Sequence, residues 1–371
     1  MIGTGGASGW PLADCRCASC MLARTARLHR APGRIRIDDT IEVIAGQHIV
    51  EGTGFQSGPA HRIVAVPGGW DVTGPDGARL LLAAGPGQLP APPPGTQPFD
   101  IALLDLLASP AELGRLRATG LVRQHTAVAA LYTDHRVPTE REMARRCDFW
   151  GATAVSDGQL IGGVTPARVQ PRPHRTLIIG GARSGKSTEA ELQLSGEPAV
   201  TYLAASPWQS WTGTDSQPDA EWAARIAVHR ARRPAWWRTV ETLDVPGVLR
   251  REAGAVLIDG IGTWLAGVMD EAGLWQAEEA RPDPEQGSRP QDEPAGPAAI
   301  VQARIDELID AWRQTRALVV AVTDQVGSGL VPPYRAGRVF RDQLGWLNQR
   351  IAAESEQNLL VVAGRVVTLS A

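Results

Sequence analysis

After residue 175, short apolar runs alternate with longer stretches in which apolar residues recur every three or four positions. The short runs are typical of buried parallel strands, and the longer period is typical of amphipathic helices. The alternation predicts an α/β domain with a mostly parallel sheet and helices on both faces. The predicted strands are 176–179, 199–204, 255–258, 317–322 and 359–362, the predicted helices are 220–231, 300–315 and 334–356, and a final pair of runs, 359–363 and 365–369, predicts an edge hairpin.

The first 170 residues show a different pattern, in which glycine and proline turns separate short β-type runs. This half is interpreted as α+β, with a proline-rich loop at 90–98. The predicted strands are 35–38, 62–66 and 80–83, and the predicted helices are 110–119 and 139–149.

Two polar, proline-containing segments interrupt the chain. The first, 169–175, predicts a boundary between a domain of residues 1–172 and a domain of residues 173–371. The second segment, 278–297, has few apolar side chains. Because burying them would not offset the conformational entropy lost on ordering, this segment predicts a disordered insertion.

Composition narrows the choice of partners. The 371 residues include 37 basic and 40 acidic side chains, a net charge of −3, which does not favour nucleic acid or an anionic membrane as partner. The start resembles no signal peptide, and no stretch approaches the roughly 18 apolar residues of a membrane span. We expect a soluble, cytoplasmic protein with small-molecule partners.

One motif carries the clearest chemistry. The apolar run 177–179 leads into Gly180-x4-Gly185-Lys186-Ser187, and 189–192 opens a helical pattern. In a phosphate-binding loop, backbone N–H groups and the helix N-terminus bind the phosphates, the lysine reaches the β- and γ-phosphates, and the serine ligates Mg²⁺. The sequence therefore predicts a nucleoside triphosphate site with Mg²⁺.

A second candidate centre is His229, which is followed by Arg230, Arg232 and Arg233. Cations around a histidine could hold the phosphorylated product of a nucleophilic imidazole. The alternative is a helix end with a solvated basic face.

Two carboxylates follow short apolar or β-branched stretches. Asp259 ends the run 255–258, where it could reach Mg²⁺ or a sugar hydroxyl, or could cap the helix predicted at 261–268. Glu241 follows Thr239 and Val240, and by itself it is no more than a charge at a strand end.

Several ordered motifs of residues 175–371 together resemble the bifunctional adenosylcobinamide kinase/adenosylcobinamide-phosphate guanylyltransferase family of cobalamin biosynthesis. They are the phosphate-binding loop, Tyr202-Leu-Ala-Ala-Ser206, Arg225-Ile-x-x-His229-Arg-x-x-Arg233-Pro234, Trp237-x-Thr-x-Glu241, 322–332 and 334–352. The resemblance implies that a nucleoside triphosphate (ATP or GTP) phosphorylates adenosylcobinamide, and that His229 then takes GMP from GTP and passes it to adenosylcobinamide phosphate. Members of the family assemble as oligomers.

The resemblance also implies a set of site residues. His229 is the guanylylated nucleophile, Lys186 is catalytic, and Ser187 ligates Mg²⁺. The implied nucleotide contacts are Gly180, Gly181, Ala182, Arg183, Ser184, Gly185, Lys186, Ser187, Ala204, Ala205, Ser206, Arg230, Ala231, Arg232, Arg233, Glu241 and Asp259.

This sequence departs from the family pattern in three places. Ala205 stands where the family usually has Thr, Asp324-Gln325 stands where it usually has Asn-Glu, and the link at 207–218 is longer.

An alternative function is a regulatory module that binds GTP or ATP without corrinoid chemistry.

Three of the four cysteines, Cys15, Cys17 and Cys20, crowd within a few residues, which favours a metal site over a disulfide framework. The alternative is three free thiols. With the Gly-rich start of the chain, the cluster resembles metallo-β-lactamase-fold phosphodiesterases of the phosphonate-pathway type. That resemblance implies a structural zinc with His135 as the fourth ligand.

The catalytic His-x-His-x-Asp-His motif of that fold is missing, and Tyr132 stands where the resemblance expects a metal-binding histidine. Residues 1–172 are therefore interpreted as a degenerate, catalytically inactive relative. The competing hypothesis is a catalytically active zinc hydrolase, which would hold two or more metal ions.

Overall fold

The computed structural model describes residues 1–38, 41–44, 61–85, 87–162, 172–205, 233–279 and 296–369. The chain divides into two compact units, Met1–Arg172 with Ser195–Pro198, and Pro173–Leu194 with Ala199–Ala371. The helix predicted at 220–231 and most of the insertion predicted at 278–297 lie outside the described residues. In the described ranges, no helix has the length and apolar character needed to cross a membrane.

A mixed six-stranded sheet organises the first unit. Its order is β3-β4-β5-β6-β7-β8, with antiparallel pairing from β3 to β5 and parallel pairing from β5 to β8. A separate antiparallel pair is formed by β1 and β2. The strands are β1 (Arg34–Ile37), β2 (Ile41–Ile44), β3 (Arg62–Val66), β4 (Gly69–Thr73), β5 (Arg79–Ala83), β6 (Ile101–Leu104), β7 (Ala127–Ala130) and β8 (Thr153–Ala154).

Three helices accompany this sheet: α1 (Ala18–Thr25), α2 (Pro110–Ala118) and α3 (Glu140–Trp150). α3 has clear local signals, because the Thr139 side chain accepts a hydrogen bond from the Glu142 N–H and Gly151 closes the helix in the left-handed region at φ 61°. α2 and α3 connect the parallel strands β6, β7 and β8, so the second half of this unit has α/β connections rather than the α+β segregation expected for it.

A seven-stranded sheet organises the second unit, in the order β11-β10-β12-β13-β9-β14-β15. All neighbours are parallel except β14 and β15, which form the predicted edge hairpin. The strands are β9 (Arg175–Gly180), β10 (Val200–Ala204), β11 (Arg238–Glu241), β12 (Ala255–Asp259), β13 (Leu318–Asp324), β14 (Gln357–Val362) and β15 (Arg365–Thr368).

Helices cover both faces of this sheet, as the sequence predicts. Alternate residues of β12 show it, since Leu257 packs with α4 on one face while Val256 and Ile258 pack with α5, α6, α8 and α9 on the other. The helices are α4 (Lys186–Leu194), α5 (Val245–Arg251), α6 (Ile261–Glu271), α7 (Leu274–Glu279), α8 (Pro297–Gln314) and α9 (Arg335–Ala353).

The predicted strands and the two described long helices are confirmed to within a few residues. α8 begins at Pro297 rather than at residue 300, because proline's fixed φ suits the first helical turn. α5 and α7 are too short to give a clear periodic pattern, so the sequence did not predict them.

Candidate nucleotide site and metal-ligand cluster

The phosphate-binding loop connects β9 to α4, and its backbone packs too closely against neighbouring atoms to admit a side chain at its first position. A Cβ on Gly180 would lie 2.5 Å from Ser184 Oγ and 2.7 Å from the Val361 carbonyl oxygen. Gly185 has φ 99°, a conformation that favours glycine, and Arg183 also has positive φ. By contrast, a Cβ on Gly181 would meet nothing within 4 Å. The loop thus requires glycine at positions 180 and 185 for steric and conformational reasons.

Lys186 is the first residue of α4, and its side chain turns back over the loop. It is only 8% exposed, so its charge needs partners. Nζ donates to the Gly181 carbonyl oxygen at 3.1 Å and lies 2.9 Å from Asp324 Oδ1. The amine that the motif directs at the β- and γ-phosphates is therefore paired with the Asp324 carboxylate.

Asp324 ends β13, the strand between β9 and β12, and a hydrogen-bonded amide of α9 holds this strand end. Asn348 Nδ2 donates to the Asp324 carbonyl oxygen at 3.1 Å, and Thr323 Oγ1 donates to Asn348 Oδ1 at 2.7 Å. Asn348 and Thr323 are buried. Because the amide fixes only the backbone of Asp324, the carboxylate can face the loop, with 47% of its side-chain surface exposed.

The predicted nucleotide contacts Ala204, Glu241 and Asp259 lie level with one another at the carboxyl ends of three neighbouring strands. The backbone pairing places Ala204 opposite Glu241 on one side and opposite Asp259 on the other. Gly180 pairs with Asp324 at the same edge of the sheet. In open α/β sheets, ligands bind outside this edge.

Asp259 is held by a residue that the sequence analysis did not assign a role. Tyr202 Oη donates a hydrogen bond to Asp259 Oδ2. Burial, with the Asp259 carboxylate adding to it, raises the pKa of Tyr202 well above its usual value, so the phenol remains a donor. The N-cap of α6 is Gly260, so the alternative interpretation of Asp259 as the cap of that helix is wrong.

Arg233 adds a cation to the same edge. Its Cζ lies 3.2 Å from the centroid of the Tyr202 ring, and its Nε is buried without a hydrogen-bond partner. A stacked guanidinium with a spare donor can bind an anionic oxygen. Tyr202 thus connects the predicted nucleotide contacts Asp259 and Arg233.

The edge hairpin contacts the phosphate-binding loop. The Gly364 N–H, in the turn between β14 and β15, donates to the Ser184 carbonyl oxygen at 2.8 Å. A Cβ on Gly185 would lie 3.4 Å from Gly364 Cα. Backbone from the far end of the sequence therefore supports the loop.

The remaining predicted contacts fall into two groups. Gly181, Ala182 and Arg183 form the exposed part of the loop, Ser187 is half-buried in the first turn of α4, and Ala205 is buried directly after β10. Ser206, His229, Arg230, Ala231 and Arg232 lie outside the described residues.

In the first unit, the structure brings together the four predicted metal ligands. One ligand atom from each of Cys15, Cys17, Cys20 and His135 lies within 4.8 Å of the other three. The Ser19 hydroxyl donates to the Val137 carbonyl oxygen at 2.7 Å, which ties the cysteine helix α1 to the histidine loop. Three thiols and one imidazole match the donor set of a closed tetrahedral zinc site.

Two of these thiols have shifted pKa values. The backbone N–H of Cys20 donates to Cys17 Sγ, which lowers the pKa of Cys17, whereas burial raises the pKa of Cys20 to about 11. Cys20 is therefore protonated near neutral pH, and a bound metal ion would have to displace its proton.

Near the predicted metal cluster in sequence, Arg136 pairs with two carboxylates. Its guanidinium lies 2.9 Å from Asp105 Oδ2, and a bidentate contact joins it to Asp134. Tyr132 is buried, and burial raises its pKa to about 12. A neutral phenol is a poor ligand for a catalytic metal ion.

Sequence comparison identifies relatives of the second unit. A family profile described as cobinamide kinase / cobinamide phosphate guanyltransferase matches residues 176–369. The bifunctional adenosylcobalamin biosynthesis protein CobU of Salmonella typhimurium is 38% identical over 197 residues, 51% of this chain and 95% of the relative. The CobU protein of Escherichia coli is 35% identical, and the CobP protein of Pseudomonas aeruginosa is 34% identical, over 51% of this chain and 95% and 94% of the relatives.

Solved structures give weaker similarities. An ATPase from a bacterial type III secretion system is 13% identical with a TM-score of 0.29, covering 50% of each chain. The P4 protein of bacteriophage phi6 in complex with ADP is 14% identical with a TM-score of 0.25, covering 57% of this chain and 63% of that protein. Both scores are low, and neither similarity bears on activity.

Gly180 and Gly181, two of the three loop glycines, provide a matched pair of substitutions. We expect Gly180→Ala to lower the free energy of unfolding of the nucleotide-free protein by about 1–3 kcal/mol, because the new Cβ would clash with Ser184 Oγ and the Val361 carbonyl. Gly181→Ala should change it by less than about 0.5 kcal/mol. Urea denaturation followed by circular dichroism measures both, and equal costs would contradict the described loop geometry.

Proposed function

The chain belongs to the cobinamide kinase / cobinamide phosphate guanyltransferase family, and from this membership we propose that its second unit carries out both reactions in cobalamin biosynthesis. The observation that carries the proposal is the assembly of the phosphate-binding loop, Asp259 and Arg233 at one edge of the parallel sheet. We assign residues 173–371 to this enzyme domain. Because both reactions consume nucleoside triphosphates, a cytoplasmic location is part of the proposal.

In the kinase step, the hydroxyl oxygen of the aminopropanol arm of adenosylcobinamide bonds to the γ-phosphorus of ATP or GTP, and the bond to the leaving nucleoside diphosphate breaks. The loop N–H groups and Lys186 hold the phosphates. Ser187 and Asp259 supply hydroxyl and carboxylate oxygens, which fit Mg²⁺, and this ion would neutralise charge that develops on the phosphates. Tyr202 keeps the Asp259 carboxylate in place.

In the guanylyltransferase step, His229 attacks the α-phosphorus of GTP and pyrophosphate leaves. GMP then passes from the imidazole to adenosylcobinamide phosphate, giving adenosylcobinamide-GDP. Neutral imidazole suits this role because it is nucleophilic near neutral pH. Arg233, four positions after His229 in the sequence, offers a free Nε donor at the strand edge, which supports a role in binding the nucleotide.

The first unit has a different proposed role. We assign residues 1–172 as a degenerate metallo-β-lactamase-like domain that keeps a structural zinc on Cys15, Cys17, Cys20 and His135. The clustering of the four ligand atoms supports the zinc assignment. Tyr132, a buried phenol at the position where the resemblance expects a metal-binding histidine, supports the loss of a catalytic metal centre.

Replacement of the nucleophile tests the proposed function. With GTP radiolabelled at the α-phosphate, the wild-type protein should acquire an acid-labile, base-stable label. His229→Ala should acquire none, and its phosphorylation of adenosylcobinamide should stay within about threefold of wild type.

The matched control is His125→Ala, which removes an exposed histidine of the first unit and should label like wild type. Persistence of the label in His229→Ala would exclude this nucleophile. A wild-type protein that binds GTP without releasing pyrophosphate or modifying cobinamide would favour a regulatory module instead.

Metal analysis tests the assignment of the first unit. The purified protein should contain about one zinc ion per chain. Cys20→Ala and His135→Ala should lose it, because each removes one of four ligands. Cys147→Ala is the control, since this buried cysteine is not among the clustered ligands. Two or more ions per chain would contradict a purely structural site and favour a catalytically active hydrolase.

A further inference from the structure

We propose that the loop between β13 and α9 carries the surface that binds the corrinoid ring of the acceptor. This apolar loop surface consists of the side chains of Leu330, Val331 and Tyr334. The inference rests on the proposed function and adds a binding site for the acceptor to it. The phosphate-binding motif supplies contacts for the nucleotide alone.

The three side chains are exposed although they are apolar or aromatic. Leu330 is 96% exposed, Val331 is 62% exposed and Tyr334 is 79% exposed. Single exposed apolar residues are ordinary on a protein surface, but these three lie within five consecutive positions. Apolar surface that is concentrated on one short segment in this way marks a binding site.

Hydrogen bonds from α9, rather than burial of apolar groups, hold this loop. Arg338 Nη1 donates to the Pro333 carbonyl oxygen at 2.7 Å. Arg341 Nη2 donates to the Gly327 carbonyl oxygen at 3.3 Å. The two arginines therefore bind the loop backbone on either side of Leu330. A loop that is already held in place loses less conformational entropy when a ligand binds to it.

The loop begins at the phosphate site. The Gln325 N–H, directly after β13, donates to the Gly180 carbonyl oxygen at 3.1 Å. Leu330 follows Gln325 closely in the sequence, and even fully extended chain would separate their backbones by no more than about 18 Å. The apolar loop surface therefore lies near the carboxyl edge of the sheet, where the acceptor must approach the γ-phosphate.

The loop backbone also leaves room for a large ligand. Within the described part of the chain, a Cβ on Gly327 would meet nothing within 4 Å. A Cβ on Gly329 would meet only the Val326 carbonyl oxygen, at 3.8 Å. The phosphate-binding loop differs in this respect, because a Cβ on Gly180 would clash with its neighbours.

The chemistry of the acceptor fits this surface. The ring of adenosylcobinamide is a broad macrocycle of apolar ring carbons that is edged by amide side chains, and its aminopropanol arm is short. When the hydroxyl of this arm reaches the γ-phosphorus, the ring must lie close to the same edge of the sheet. The leucine and valine side chains can pack against the ring, and the aromatic ring of Tyr334 can stack on it.

Leu330→Ser and Tyr334→Ala test the inference, because each removes contact area from an exposed side chain. The Tyr334 side chain makes no capping hydrogen bond to α9, so its loss should not disturb the helix. We expect the dissociation constant of adenosylcobinamide, measured by equilibrium dialysis with the visible absorbance of the corrinoid, to rise about tenfold or more in each variant. The KM for adenosylcobinamide should rise in parallel, while kcat stays within about threefold of wild type.

Self-guanylylation provides a second measurement, because the transfer of GMP from α-labelled GTP to His229 needs no corrinoid. Both variants should acquire the label at the wild-type rate, which also shows that they are folded. Ile300→Ser is the matched control, since it replaces another exposed apolar side chain, on α8. This control should change neither corrinoid binding nor labelling.

Three results would overturn the inference. The first is an unchanged dissociation constant for adenosylcobinamide in both variants. The second is a loss of labelling in parallel with corrinoid binding, because the loop would then serve the nucleotide. The third is a fall in molar mass, measured by light scattering, because the apolar loop surface would then join copies of this chain.

The wild-type protein separates the two levels of inference. If it neither binds nor phosphorylates adenosylcobinamide, the proposed function fails, and the inference fails with it. If it does both, and the two variants bind adenosylcobinamide equally well, only the role of the apolar loop surface fails.

Discussion

Parallel pairing of β9 with both β13 and β14 determines where the phosphates can bind. The paired backbones bring Gly180 level with Asp324 on one side and with Val361 on the other. The loop that follows Gly180 must then turn in the narrow space between these two strand ends. This confined position explains why Gly180 cannot carry a Cβ and why the Lys186 amine reaches Asp324. It also explains why Gly364 of the hairpin contacts the loop. A register shift on either side would move the loop relative to Asp259 and Asp324 together.

Pairing of charges stabilises the side chains at this edge of the sheet. A buried ammonium group is costly unless it is paired, and Asp324 and the Gly181 carbonyl provide the partners for Lys186. Arg233 stacks on Tyr202, whose hydroxyl in turn holds Asp259. Lys186 and Arg233 are thus each held by neighbouring side chains at the edge where the nucleotide contacts are predicted.

The sequence was sufficient for the features that depend on local patterns. The strand, glycine loop and helix of the phosphate site, the capped helix α3 and the edge hairpin are of this kind. It could not reveal the ion pair of Lys186 with Asp324 or the bond from Tyr202 to Asp259, because both join residues that only the strand order brings together. Asp324 did leave a signal, since it follows an apolar run as Asp259 does.

The hydrogen bond from Gly364 to Ser184 connects the phosphate loop to the turn of a solvent-exposed hairpin. A change in the loop backbone on nucleotide binding would be transmitted to this turn through a single peptide group. Ala363, exposed and beside Gly364, is therefore a natural attachment point for an environment-sensitive fluorophore. Such a label would report occupancy of the phosphate site from outside it, without touching the predicted nucleotide contacts.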